Sequence, residues 1–176
     1  MRGLYGVTSA PLIRQHIVFM SQTSALLDEI SSMLVECDIF NHLPAAEIQA
    51  VARHFSINNI AQGETIFREG DDGTFMCVVH EGRISVLKTN QDNRDVIMAT
   101  LGKGRTFGEM AVLDGERRSA TCVAASDCVL LTLSKEAMDT MLEHEPRIGA
   151  KILRAVAVSL SRRLRMAVGK LVDHEV

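Results

Sequence analysis

The residues best suited to chemistry lie between Thr106 and Thr121, in the run Thr-Phe-Gly-Glu-Met-Ala-Val-Leu-Asp-Gly-Glu-Arg-Arg-Ser-Ala-Thr. Gly108 has no Cβ, so the backbone can turn sharply there and gather consecutive N–H groups into an anion-binding concavity. Arg118 adds a planar donor fork that matches a phosphate. Glu109, an acceptor when ionised, would be repelled by that phosphate and makes sense only facing hydroxyl groups, such as those of a ribose. The stretch therefore reads as a site for a sugar phosphate. A solvated turn whose arginine pairs with a nearby acid would use the same residue types, so the surroundings must decide.

Those surroundings are an ordinary globular chain of 176 residues, 47% hydrophobic, long enough for one domain with appendages. A formal net charge of -3 argues against a large electrostatic nucleic-acid footprint. The densest early apolar run, Ile17 to Met20, is too short for a signal-peptide core or a membrane span, so a cytoplasmic protein is expected. Cys37, Cys77, Cys122 and Cys128 show no Cys-x-x-Cys spacing and read as buried free thiols. Of six histidines only His80 falls among strand-like runs, so the ligand set of a metal enzyme on a cupin-like roll is not visible and no metal is expected. Spacing suggests no Ser, His and acid grouping either, and the expectation is a protein that is not an enzyme.

Four regions should position the central stretch. Residues 1–24 lack a sustained period and read as an arm. Within 25–55, Leu26, Leu27, Ile30, Met33, Leu34 and Cys37 form one face of a helix up to about Asp38. A second helix should begin near Pro44, carry Ile48, Val51, Ala52 and Phe55 inward, and end at about His54 or Phe55. Across 56–133 the texture becomes short apolar runs broken by glycine: Ile57 to Ile60, Thr65 to Arg68, Phe75 to Val79, Ile84 to Lys88, Val96 to Leu101, Ala120 to Ala124 and Val129 to Leu133. Such spacing implies a barrel or a double-sheet roll, in which 106–121 is a long specialised connection. Over 134–176, Ser134 should cap a short helix from Lys135 to His144, and Pro146 should open a helix running to about Leu171. Ala150, Leu153, Ala157, Leu160, Leu164, Ala167 and Leu171 follow a coiled-coil spacing, while Ile148, Ile152 and Val156 lie on a neighbouring face. One stripe should cover the roll and the other a partner, whereas a single broad face on the roll would also fit. Lys151, Arg154, Arg162, Arg163 and Arg165 read as the solvated face.

In this order of elements the sequence resembles the cyclic nucleotide-binding domain family. Gly63-Glu64-x-Ile66-Phe67-x-x-Gly70-Asp71, followed by Phe75 and by Gly82-Arg83-Ile84-Ser85-Val86, is similar to the family's glycine-spaced strand repeat. Phe107-Gly108-Glu109-Met110-Ala111 with Arg118-Ser119-Ala120-Thr121 is similar to its phosphate-binding cassette. The resemblance covers about Cys37 to Leu171 and implies an α+β, mainly β, fold: an antiparallel β-roll or jelly roll, a cupin-like double-stranded β-helix, flanked by N-terminal helices and a long C-terminal helix. It implies that Glu109 takes the ribose 2′-hydroxyl, that Arg118 pairs with the cyclic phosphate, and that Gly108, Met110, Ala111, Ser119 and Ala120 line the cradle. Arg117 stands where many members have proline and should face outward.

Two departures qualify the resemblance. Relatives of the catabolite-activator group continue into a helix-turn-helix domain, whereas this chain ends at Val176, so direct DNA binding is not expected. A hydroxyl pair that helps read adenine in that group is replaced by Ala167 and Val168, after Arg162-Arg163-Leu164. The implied function is a cyclic nucleotide sensor with no cofactor. Its expected partners are cAMP or cGMP, with a cyclic dinucleotide also open, and a second copy joined through the 147–171 helix. cAMP comes first because it is the commonest bacterial ligand of the family. The rival reading is a ligand-free interaction module that keeps the roll and the seam.

Overall fold

A computed structural model describes residues 24–173, with side chains to Gly169. The expected arm lies outside the described residues except for Ser24, which already belongs to helix α1 (24–35). Turns carry the chain to Pro44, whose extended conformation (φ -61°, ψ 152°) precedes α2 (Ala45–Ala52). Ile48, Val51 and Ala52 of α2 are buried as expected, but the helix stops short of Phe55. Phe55 instead opens β1 (Phe55–Ile60), because it pairs with Leu133 across the sheet. Tertiary pairing here overrides the helical period.

The remaining strands are β2 (Thr65–Phe67), β3 (Phe75–Glu81), β4 (Ile84–Thr89), β5 (Asp95–Leu101), β6 (Thr106–Phe107), β7 (Thr121–Ala124) and β8 (Cys128–Ser134). They form two four-stranded antiparallel sheets, ordered β1-β8-β3-β6 and β2-β7-β4-β5. Met76, Cys77, Val78 and Val79 are all buried, so β3 lacks the apolar-polar alternation of a strand with one wet face. The reason is that both its faces are covered. Cys77 and Val79 join Phe67, Ile84, Phe107, Cys122 and Leu130 between the sheets, while Met76 and Val78 pack with α1, α2 and the C-terminal helices.

All four cysteines are unpaired and buried. Burial pushes the thiols of Cys37 and Cys77 up to about 11 and that of Cys122 up to about 12, which keeps them protonated and inert at neutral pH.

Two helices close the fold, α4 (Lys135–His144) and α5 (Pro146–Asp173). Ser134 caps α4 by accepting the Ala137 N–H at 3.0 Å. Along α5, Ile152 and Val156 are fully buried against the roll, and Leu160 packs partly against the same core. From Leu164 to Gly169 every residue is exposed, Leu164 itself at 66%. The Leu171 side chain lies outside the described residues. Among the described residues no helix is long and apolar enough to cross a membrane.

Candidate functional site

Between β6 and β7 the chain does not make the simple hinged turn read from the sequence. Gly108 adopts a left-handed conformation (φ 76°) and starts a six-residue helix, α3 (Glu109–Asp114), which ends at Gly115, also left-handed. The glycine is needed for room as well as for backbone angle. A Cβ on Gly108 would sit 2.7 Å from Nη1 of Arg118 and 3.2 Å from the Phe75 carbonyl oxygen.

Arg118 is 3% exposed, unusual for an arginine without a carboxylate partner. Its Nη1 donates to the Gly108 carbonyl at 2.7 Å and its Nη2 to the Phe75 carbonyl at 2.6 Å. The guanidinium carbon stands 4.0 Å from the centre of the Phe67 ring and 4.8 Å from that of Phe75, so two aromatic faces hold its plane. Burial lowers its pKa, opposed in part by Cys77, Cys122, Asp71 and Glu109. The backbone is fixed as well: its N–H donates to the Asp71 carbonyl, and its carbonyl accepts from the Gly70 N–H, both at 2.9 Å. The turn Gly70-Asp71-Asp72-Gly73, whose first two residues read in the sequence only as part of the glycine-spaced strand repeat, is therefore the clamp that positions the arginine. Arg117 faces outward, its side chain 70% exposed, with Asp72 at 3.2 Å.

Glu109 is 1% exposed. Its Oε1 accepts from Nη2 of Arg163, a residue of α5, which also donates to the carbonyl and hydroxyl oxygens of Thr106. The solvated face expected for Arg163 is thus corrected: this arginine turns inward because the buried Glu109 carboxylate needs a counter-charge. Lys151, also expected to be solvated, pairs with Glu47 at 2.7 Å.

Gly108, Glu109, Met110, Ala111, Arg118, Ser119 and Ala120 all line one cavity of about 180 Å³. Phe67, Phe107, Val86, Ala99, Leu101, Cys122 and Arg163 complete its wall; of these only Phe107 belongs to the cassette run in the sequence, and none is among the residues expected to line the site. Ala167 and Val168 are exposed and do not line it. Five buried side-chain polar atoms among the described residues lack a hydrogen-bond partner, and three of them, Glu109 Oε2, Arg118 Nε and Arg163 Nε, belong to residues of this wall. Buried polar atoms are normally satisfied, so their concentration at one cavity marks it as a place for a polar guest. No three His, Cys, Asp or Glu side chains gather as a metal site among the described residues.

Residues 57–145 match the family described as the cyclic nucleotide-binding domain. The chain is similar to a putative potassium channel protein of Rhodopseudomonas palustris, with 33% identity over 140 residues, 80% of this chain and 34% of that protein. It is also similar to the Cyclic AMP receptor protein of Thermus thermophilus, 33% identical over 73% of this chain and 58% of that protein. The chain thus spans about a third to just under three fifths of these relatives' lengths. Among solved structures, a domain from Methylobacillus flagellatus superposes with a TM-score of 0.75 at 24% identity, covering 84% of this chain and 83% of that one.

Proposed function

The chain belongs to the cyclic nucleotide-binding domain family, and on that footing we propose that it is a non-catalytic cytoplasmic sensor that binds cAMP, or cGMP, in the Gly108–Ala120 cradle and signals through α5. The observation that carries this reading is the trio of unsatisfied polar atoms at one cavity. Arg118 has five N–H donors, and its two carbonyl contacts leave three for the oxygens of a cyclic phosphate. Glu109 Oε2, its twin oxygen already held by Arg163, can accept from a ribose 2′-hydroxyl. Gly108, Met110, Ala111, Ser119 and Ala120 form the surrounding wall. cAMP takes precedence because a relative at 33% identity is named a Cyclic AMP receptor protein. The four buried free thiols suit a reducing compartment.

The cavity's size supports a moving helix. At about 180 Å³ it falls below the roughly 300 Å³ at which whole-ligand pockets begin. It suits the phosphoribose, and the base then occupies space that α5 must yield. Because Arg163 ties α5 to Glu109, a ribose hydroxyl arriving at that carboxylate changes the tie, and a ligand that favours one helix position shifts the population towards it. Calorimetric titration tests the function directly: saturable binding of cAMP or cGMP is expected. No heat from either at millimolar concentration would leave the interaction module as the function.

The second proposed partner is another copy of the chain. Past Arg163 the last turns of α5 stand free of the roll with Leu164 and Ala167 of the coiled-coil stripe exposed, which suits a two-helix seam. Leu164→Asp is expected to convert a sedimenting dimer to a monomer while nucleotide still binds. A monomeric native protein would remove the seam from the proposal.

A further inference from the structure

A larger concavity lies on the other side of Arg163. The turns after α1, the loop before β6 and one face of α5 enclose about 490 Å³, within the usual range for small-molecule sites. Its lining includes four arginines, Arg105, Arg154, Arg162 and Arg163, against a single carboxylate, Asp38. Among the described residues Arg105, Arg154 and Arg162 make no ion pair, and Nε of Arg163 is buried without a partner. Elsewhere some cations are paired, as Lys88 with Glu69, Lys103 with Glu36 and Lys151 with Glu47, while others such as Arg53, Arg83 and Arg147 make no ion pair among the described residues; what sets the groove apart is that four guanidinium groups line one concavity. The concentration of unpaired guanidinium groups also owes nothing to a general surplus, since the net charge is -3. Like charges held around one concavity repel, and a bound counter-charge relieves the arrangement.

We propose that this groove is a second ligand site, for a small diffusible polyanion carrying two or more phosphoryl groups. Guanidinium forks pair with phosphate oxygens two at a time, and three unpaired forks exceed what one phosphate can neutralise. Asp38 and the ring nitrogens of His42, also in the lining, suit the hydroxyl or amino groups of a larger ligand. The groove stays open in a dimer. At 3.6 residues per turn, Arg154, Val158 and Arg162 lie on average about 135° around α5 from Leu153, Leu160 and Leu164, on a different face. The site stands apart from the cradle: Arg163 borders both cavities, but Arg118 lines only the smaller one.

The test is calorimetric titration of inorganic pyrophosphate at physiological salt, with no cyclic nucleotide present. The native chain is expected to bind it saturably, and more tightly than inorganic phosphate. Arg105→Ala and Arg154→Ala, both at exposed positions, are each expected to cost roughly tenfold or more in affinity. Arg118→Ala should bind pyrophosphate as the native protein does; Arg118→Met, which keeps the stem's bulk, replaces it if the alanine variant does not fold. Parallel arms with ATP and with phosphoinositide-containing vesicles separate a free polyphosphate from a lipid headgroup. The proposal is overturned if the native chain shows no saturable binding. It is equally overturned if affinity is lost in the Arg118 variants but kept in the groove variants, or if vesicles or a short oligonucleotide bind through the groove arginines more tightly than either soluble ligand.

Discussion

Replacing Arg118 with alanine is expected to weaken cyclic nucleotide binding by at least about a hundredfold, because a buried charge stripped of its partner costs roughly 3–5 kcal/mol. The phosphate would enter a cavity walled by Phe67, Phe107 and Ala111, with no other cation except Arg163, which Glu109 already holds. The ligand-free protein should suffer too. Arg118 satisfies the Gly108 and Phe75 carbonyls, and each buried polar group left unpaired costs about 1–3 kcal/mol. Thermal unfolding separates the two effects: Arg118→Lys retains the charge but not the fork, so it should recover some stability and little affinity. Equal affinities for native protein and Arg118→Ala would remove Arg118 from the phosphate.

Gly73→Ala should produce the next largest change, although Gly73 touches no proposed ligand. A Cβ there would lie 2.1 Å from the Ala111 Cβ and 3.0 Å from the Ala111 carbonyl carbon, so backbone as well as side chain must give way. Overpacking of this kind costs about 1–3 kcal/mol, and in a chain of this size each kcal/mol lowers the melting temperature by roughly 2–4 °C. Since Ala111 sits in α3 on the cavity wall, nucleotide affinity should fall along with stability. Gly102→Ala, where the added methyl meets open space, is the control and should stay within about 0.5 kcal/mol of native. If both variants melt alike, the close approach of the Gly73 turn to α3 is not what holds the cradle.

Much of this architecture was legible because it rests on local chemistry. Ser134 read as a cap and acts as one; the strand-like runs between 57 and 133 each became a strand, with ends shifted by one or two residues. The antiparallel roll with flanking helices is the expected fold. Glu109 and Arg118, nine positions apart, line one cavity. What escaped had no period to read. β6 is two residues long, and α3 has six residues and no polar cap, so neither announces itself. The inward turn of Arg163 did leave a signal: it lies eleven and seven residues beyond Ile152 and Val156, on the stripe that faces the roll. Its charge had argued for solvent. Only the burial of Glu109, a tertiary fact, reverses that preference.

The free end of α5 also has a mechanical meaning. Among the described residues Arg163 is the last of the helix with a hydrogen bond to the roll in its side chain, and the helix runs on to Asp173. At 1.5 Å per residue that overhang is about 15 Å long, so a tilt of roughly 10° pivoting at Arg163 would sweep its tip through about 2.6 Å. The overhang is thus a lever arm: a small change of helix tilt where Arg163 meets Glu109 becomes a larger displacement at the far end, where a partner would feel it.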